Sequence, residues 1–381
     1  MNILIKTLEG LEGVLKDEVV SLGLKNVESG KRIVSCEGQK EDIYRLNLGL
    51  YTGLRVLVPF YSFEANGEEE LYDKLRKFDW EKYLSLEKTF AIDATTNSEV
   101  FTHSKYVAYK MKDAISDFFR DKYSKRPSVD TSYPDVRFNI HINANKVSLS
   151  IDSSGDILYK RGYRVETNEA PLNEVLAAGI LKLSGWQGDT DLYDPMCGSG
   201  TFLIEAACIA TNRPPCLLRK RFGFMTWQDF DQDLFERVKK ELISEVTDLT
   251  VEISGADKAM KTIRSAEKNI SKALFDKKII VKRGDFFRKE PPESAKFVFM
   301  NPPYGQRLEL ADAKAFYANM GDVFKRFYQD KRAFVITSNL EAFKFLGLRP
   351  SSKKLLFNGP LECRLHEYEV YAGSKKAKFN N

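Results

Sequence analysis

Hydrophobic positions follow two different rhythms, one before about residue 155 and one after it. Residues 2–8 (NILIKTL) read as a short strand. In residues 10–23, Leu11, Val14, Leu15, Val19 and Leu22 then fall on one helical face with charge opposite. Lys31–Cys36 predicts a strand, Asp42–Leu50 a helix and Arg55–Phe63 another strand. Glu68–Glu70 places three carboxylates where a helix dipole favours them, opening a helix to about Tyr83. Residues 89–95 predict a strand, and residues 104–123 a long helix. Phe138–Asp152 alternates around Asn145-Lys146, the pattern of a hairpin. Short strands and helices interleaved in this way predict an α+β module.

After residue 165, long helical segments alternate with apolar strands. The strands are Asp191–Tyr193, Val251–Gly255, Lys278–Val281, Lys296–Met300 and Arg332–Thr337. Such βαβ alternation predicts a doubly wound, mostly parallel sheet. Lys354–Phe357 and Leu365–Tyr371, joined through Asn358-Gly359-Pro360, read as strands with no helix between them, hence an antiparallel C-terminal edge. The last residues (SKKAKFNN) read as a solvated basic tail.

At 381 residues the chain is long enough for two or three domains. With 43% apolar and 30% charged residues, wholesale disorder is excluded. The five cysteines (Cys36, Cys197, Cys208, Cys216 and Cys363) form no CxxC pair, and the three histidines show no ligand spacing. No disulfide framework or metal site is therefore expected, and a reducing cytoplasm is the expected home. Charges within the first twenty residues do not fit a signal peptide, and no uncharged apolar run reaches membrane-spanning length. The net charge of +5 neither demands nor excludes nucleic acid.

The strongest chemical signal is Asp194-Pro195-Met196-Cys197-Gly198-Ser199-Gly200-Thr201, after a short strand and opening the helix Phe202–Thr211. Gly198 and Gly200 permit a tight turn and let a ligand touch the backbone. Leu203 stands where the third glycine of a dinucleotide loop would fall, and no lysine follows Gly200. An acid at the strand end repels phosphate but pairs with a cation. This suits the α-ammonium and sulfonium of S-adenosylmethionine; a purely structural turn is the alternative.

The second signal is Asn301-Pro302-Pro303-Tyr304, directly after KFVFM. Two prolines fix φ and remove two donors, so the carbonyls can point outward. The Asn301 side chain and the Pro302 carbonyl then offer two acceptors for an exocyclic amine, and Tyr304 offers a face for a base. A proline-rich turn is the bland alternative. Asp257, ending VEISGA, can accept ribose hydroxyls. Asp285, after KIIVKRG, can meet an adenine amino group with Phe286 packed on the ring. Surface acids are the alternative for both. Thr201 and Asp257 lie 56 residues apart, so residues 212–248 read as an insertion with its own helix at Asp231–Val246.

Asp194–Thr201 with the later Asn301–Tyr304 resembles class I amino methyltransferases. With KRGYR at 160–164, APLNEVLAAGIL at 170–181, LLRKRFGF at 217–224 and the GPLECRLHEYEVY ending, the chain is similar to THUMP-domain ribosomal RNA guanine-N2 methyltransferases of the RlmL type. The resemblance implies a class I, Rossmann-like α/β catalytic domain behind a ferredoxin-like and THUMP RNA-binding module. The expected division is 1–62 ferredoxin-like, 63–155 THUMP, 156–166 linker, 167–374 methyltransferase and 375–381 tail. It also implies that Asp194, Gly198 and Gly200, with Pro195, Cys197 and Thr201 of the same turn, bind S-adenosylmethionine. Asn301, Pro302, Pro303 and Tyr304 would hold the target guanine. Asn173 and Glu174 would lie over the cofactor's methionine end. Larger members carry a second methyltransferase domain; this chain ends without one, so a second activity is expected to be absent or separate.

Charge is concentrated even though the total is mild. Residues 105–126 carry seven basic and three acidic groups, a net of +4, including Lys105, Lys110, Lys112, Arg120 and Lys122. Lys160, Arg161 and Arg164 mark the junction, and Arg213, Arg219, Lys220 and Arg221 have no acid between them. Solvated faces are the usual meaning of such clusters, but three of them flanking one cleft point to phosphate contacts. The expected partner is large-subunit ribosomal RNA, with no membrane and no metal. Cys197 is not read as a nucleophile, because Asn301–Tyr304 supplies amine chemistry. A transfer RNA guanine, a DNA adenine N6 and a non-catalytic role in ribosome assembly remain as alternatives.

Overall fold

The structure is a computed structural model that describes residues 1–165, 172–303 and 310–370. Its N-terminal strands share one sheet, made of β1 (Asn2–Lys6), β2 (Lys25–Gly30), β3 (Ile33–Glu37), β4 (Arg55–Glu64), β5 (Phe90–Asn97), β6 (Val136–Asn143) and β7 (Lys146–Asp152). The order is β2-β3-β1-β4-β7-β6-β5, antiparallel throughout except for the β5–β6 pair. The alternation read at 138–152 is the β6–β7 hairpin, with Phe138, Ile140, Ile142, Val147, Leu149 and Ile151 all buried. Edge strand β2 escapes the pattern because its residues (KNVESG) are nearly all exposed, so no apolar period marks it.

Four helices cover this sheet: α1 (Glu12–Ser21), α2 (Lys40–Gly49), α3 (Glu68–Lys77) and α4 (Ser104–Tyr123). The acidic start of α3 lies as expected, but the helix ends at Lys77 and not near Tyr83. Beyond it the Trp80 indole N–H donates to the Leu75 carbonyl (2.7 Å), which folds the chain back under the helix end.

The second sheet holds β8 (Leu192–Asp194), β9 (Ile253–Asp257), β10 (Ile279–Arg283), β11 (Phe297–Met300), β12 (Lys331–Thr337), β13 (Ser352–Asn358) and β14 (Leu361–Val370). Its order is β10-β9-β8-β11-β12-β14-β13. The first five run parallel, and β14 and β13 form the antiparallel edge. Helices α5 (Glu174–Leu183), α6 (Thr201–Ala210), α8 (Met260–Lys272), α9 (Leu310–Phe327) and the short α10 (Leu340–Phe343) accompany it. The sequence-based fold class therefore holds, a mostly parallel α/β sheet with an antiparallel edge behind an α+β module.

The insertion carries α7 (Gln232–Ser244), and it packs on the N-terminal half. Phe235, Val238 and Leu242 share a core with Tyr44 and Leu46 of α2, joined by Phe222 and Phe224. Arg45 donates to Glu241 across this seam (2.7 Å). Leu11 lies on α5 at Gly179, where an added Cβ would stand 2.5 Å from a Leu11 methyl, so only glycine admits that approach. Glu18 accepts from the backbone N–H groups of Tyr51 and Thr52 (both 3.0 Å) and faces Lys182 of α5 at 3.6 Å. Within the expected 156–166 linker, whose residue 166 lies outside the described residues, Arg161 bonds the Leu50 and Tyr51 carbonyls on one side and, with Tyr163, Glu205 of α6 on the other. The expected tail at 375–381 lies outside the described residues.

Candidate active site

The sheet order reverses between β8 and β11, and a crevice at the carboxyl ends of parallel strands is where such sheets bind ligands. Asp194 ends β8 and Asp257 ends β9, with Asp194 in register with Gly255. Asn301 follows β11, whose Val298 is in register with Tyr193. Asp285 stands two residues past the end of β10, whose Arg283 is in register with Asp257. Four residues chosen along nearly 110 positions of sequence thus meet along one edge.

Asp194 is buried, and one carboxylate oxygen accepts from the Met196 N–H (3.0 Å). Burial raises its pKa well above the ordinary carboxylate range, and the Asp257 charge adds to the rise. Asp257 accepts from the Gly198 N–H (3.2 Å) and the Ala259 N–H (2.9 Å), tying two strand ends together. Gly198 and Gly200 have φ of +55° and +83°, and a Cβ at Gly198 would meet nothing within 4 Å, so the turn opens onto free space. Thr201 starts α6 and is buried with Pro195 and Cys197 near it in the turn. Burial pushes the Cys197 thiol well up, consistent with a packing role and not a nucleophile.

The Asn301 side-chain carbonyl oxygen is buried with no hydrogen-bond partner among the described residues. Such an orphan acceptor costs free energy unless something donates to it. Pro302 is buried beside it and Pro303 half-buried; Tyr304 lies outside the described residues.

Phe286 sits in the core beneath the edge, edge-on to Phe324 and tilted against Tyr328. Asp285 accepts from the Phe287 N–H (3.1 Å) and shapes that loop. The Glu174 carboxylate accepts from Arg164 Nε (2.7 Å). The Asn173 side chain caps α5 by accepting from the Leu176 N–H (3.2 Å).

Among the basic residues, Arg161 is not an RNA contact. It is fully buried, paired with Glu205 of α6 at 3.4 Å, and it donates to the carbonyls of Leu50, Tyr51 and Leu158. Arg164 is turned inward onto Glu174, Ser199 and Thr201. Arg219 spends its guanidinium on four backbone carbonyls, those of Ser154, Asp156, Ile157 and Lys160. Lys105, Arg120, Lys122, Lys160, Lys220 and Arg221 are exposed, and Lys110 and Lys112 half-exposed. Of these, Arg120 and Lys122 pair with Asp117 and Glu81, Lys112 with Asp113, Lys160 with Asp156, and Arg221 with Asp135. Tyr106 and Tyr109 stand exposed with Lys110 and Lys105 over their rings.

Residues 161–367 match the model of the RMKL-like methyltransferase domain, more than half of the chain. The chain belongs to the RMKL-like methyltransferases. Ahead of that domain, residues 2–57 match the RlmL ferredoxin-like domain and residues 65–152 the THUMP domain. A Synechocystis sp. protein named "Putative RNA methyltransferase" is 37% identical over 364 residues, 95% of each chain. A Syntrophotalea carbinolica protein named ribosomal RNA large subunit methyltransferase K/L is 36% identical over 376 residues, 95% of this chain and 52% of its own. The chain spans about half the length of such K/L relatives. A crystal structure described as a "putative methyltransferase complexed with SAH" superposes with a TM-score of 0.84 at 29% identity, covering 98% of both chains.

S-adenosylmethionine is the cofactor of this RMKL-like enzyme. The strand edge suits it on its own chemistry. A buried, cation-seeking Asp194 and an open glycine turn lie beside Asp257, whose carboxylate stands at the neighbouring strand end. Sequence reasoning missed Ser199 and Asn269. The Asn269 side-chain N–H donates to the Ser199 carbonyl (3.0 Å), fixing the turn from α8. The one available signal was a polar residue on the apolar stripe of Ile263, Ala266 and Ile270.

Proposed function

We propose that this methyltransferase acts on RNA and methylates the exocyclic N2 of a guanosine in large-subunit (23S) ribosomal RNA, in the cytoplasm. The observation that carries the reading is the Asn301 carbonyl oxygen, buried with no partner among the described residues, one strand away from Asp194 across the point where the sheet order reverses. Bound at the Asp194 edge, the cofactor supplies an electrophilic methyl on a positively charged sulfur. The chain's own residues do the rest. Asp194 offers its carboxylate to the cofactor's positive charge, and Asp257 offers its own to the ribose hydroxyls. The Gly198–Thr201 turn lets the ligand approach the backbone. Asn301 and the Pro302 carbonyl accept from the amine, which turns the nitrogen lone pair toward the cofactor. Tyr304 offers a stacking face to a base that has left its helix. No strong base is required, because the nitrogen becomes acidic only as it is alkylated.

The division proposed earlier, with RNA gripped by residues 63–155 and chemistry done by 167–374, fits the matched families. Exposed Lys105, half-exposed Lys110 and exposed Lys220 and Arg221 are the phosphate contacts we favour, with exposed Tyr106 and Tyr109 beside the first two. The test is methylation of deproteinised ribosomal RNA with radiolabelled cofactor, followed by nucleoside analysis. Label in N2-methylguanosine is expected; label in N6-methyladenosine, or label accepted only by transfer RNA, overturns the assignment. Asn301→Ala should abolish turnover while leaving RNA affinity nearly unchanged, and equal loss of both would mean that Asn301 is structural.

A further inference from the structure

We propose that Arg164 is a positioning residue for the cofactor turn: its guanidinium holds Ser199 and Thr201 in their binding shape and takes no part in gripping RNA. This rests on the reading that the turn holds S-adenosylmethionine. Arg164 belongs to the segment entering the catalytic half, and its side chain is only 14% exposed. Nε donates to Glu174 Oε1 (2.7 Å) and one Nη to Ser199 Oγ (3.0 Å). The other Nη donates to Thr201 Oγ1 (3.0 Å) and the Leu172 carbonyl (3.3 Å).

The turn needs such support. Its two glycines sit at positive φ and bring no side chains to pack, so its shape depends on what holds the residues between and after them. Ser199 is held twice, through its carbonyl by Asn269 and through its hydroxyl by Arg164. Asn269 Oδ1 in turn accepts from the N–H of Val165, the residue after Arg164 (2.8 Å). Two consecutive residues of the entering segment are therefore stitched to one turn. Glu174 fixes the plane of the guanidinium and neutralises it. Turning Arg164 outward to a phosphate would break four bonds and strand a carboxylate that is only 6% exposed. A lysine cannot replace the fork, because a single ammonium on a flexible stem does not reach three side chains in one plane.

The experiment uses the full chain. Binding of S-adenosylhomocysteine is measured by calorimetry and binding of deproteinised 23S ribosomal RNA by fluorescence anisotropy, with thermal melts as a fold control. Arg164→Ala should weaken S-adenosylhomocysteine by about 10- to 100-fold, the range expected for losing charge-assisted bonds that hold a site, with RNA affinity unchanged. Arg164→Lys should recover little, and Glu174→Gln should shift affinity in the same direction. Loss of RNA affinity with cofactor affinity kept would overturn the proposal and make Arg164 a phosphate contact. Full recovery by lysine would overturn it in favour of charge alone. If Arg164→Ala does not fold, Ser199→Ala carries the test: weakened S-adenosylhomocysteine supports the proposal and unchanged affinity overturns it. Asp194→Asn separates the two levels. If it keeps cofactor affinity, the reading of the turn has failed; if it loses affinity while Arg164→Ala does not, that reading stands and the positioning role is wrong.

Discussion

At the residue scale, the least comfortable side chain is Asp194. Burial holds its pKa well above that of an unfolded aspartate, and Asp257 adds to the strain. Between the unfolded and folded values the native state binds more protons than the unfolded one, so this group makes the ligand-free protein less stable as pH rises through that window. Asp194→Asn should flatten that part of the stability–pH curve and stabilise the ligand-free protein at neutral pH, while cofactor affinity falls. Denaturant melts at several pH values, wild type against variant, check both signs. For wild type, S-adenosylhomocysteine should bind more tightly as pH rises through the raised titration of Asp194, because the carboxyl must ionise to meet the ligand's ammonium group.

At the scale of elements, Leu11, just ahead of α1, packs on α5 at Gly179. Gly179→Val would drive a side chain into Leu11. Overpacking of this kind costs about 1–3 kcal/mol. Leu11→Ala alone leaves a cavity, but the two changes together should cost less than their sum, because each makes room for the other. A double-mutant cycle by chemical denaturation measures that coupling. The same elements show what the sequence could reveal. Period-2 and period-3.6 patterns marked β1, β4, β6, β7, α4 and the five parallel strands, because each buries one face or both. They could not mark β2, which buries almost nothing, nor the end of α3, which an indole hydrogen bond decides. The strand-end residues Asp194, Asp257, Asp285 and Asn301 were legible because a parallel sheet delivers its loops to one edge. Arg161, Arg164 and Arg219 were read as phosphate contacts because residue type does not say which way a side chain turns. An arginine facing buried carbonyls looks, in sequence, like one facing a phosphate.

At the scale of the whole molecule, the two halves are joined by polar bonds as well as by packing. Arg161 meets Glu205 of α6 on one side and carbonyls of Leu50 and Tyr51 on the other. The Tyr51 hydroxyl reaches back to the carbonyls of Cys208 and Arg213 (3.0 and 2.9 Å). Arg161→Ala would leave Glu205 buried without its counter-charge, at about 3–5 kcal/mol. Equilibrium unfolding should show that loss. RNA affinity measured well below the melting temperature should hold, because the guanidinium never reaches the surface.

Arg161 grips its neighbours by main-chain oxygens, which every amino acid carries alike. Drift in the identity of residues 50 and 158 can therefore leave these bonds intact, whereas a single-residue deletion beside either would shift its oxygen out of reach.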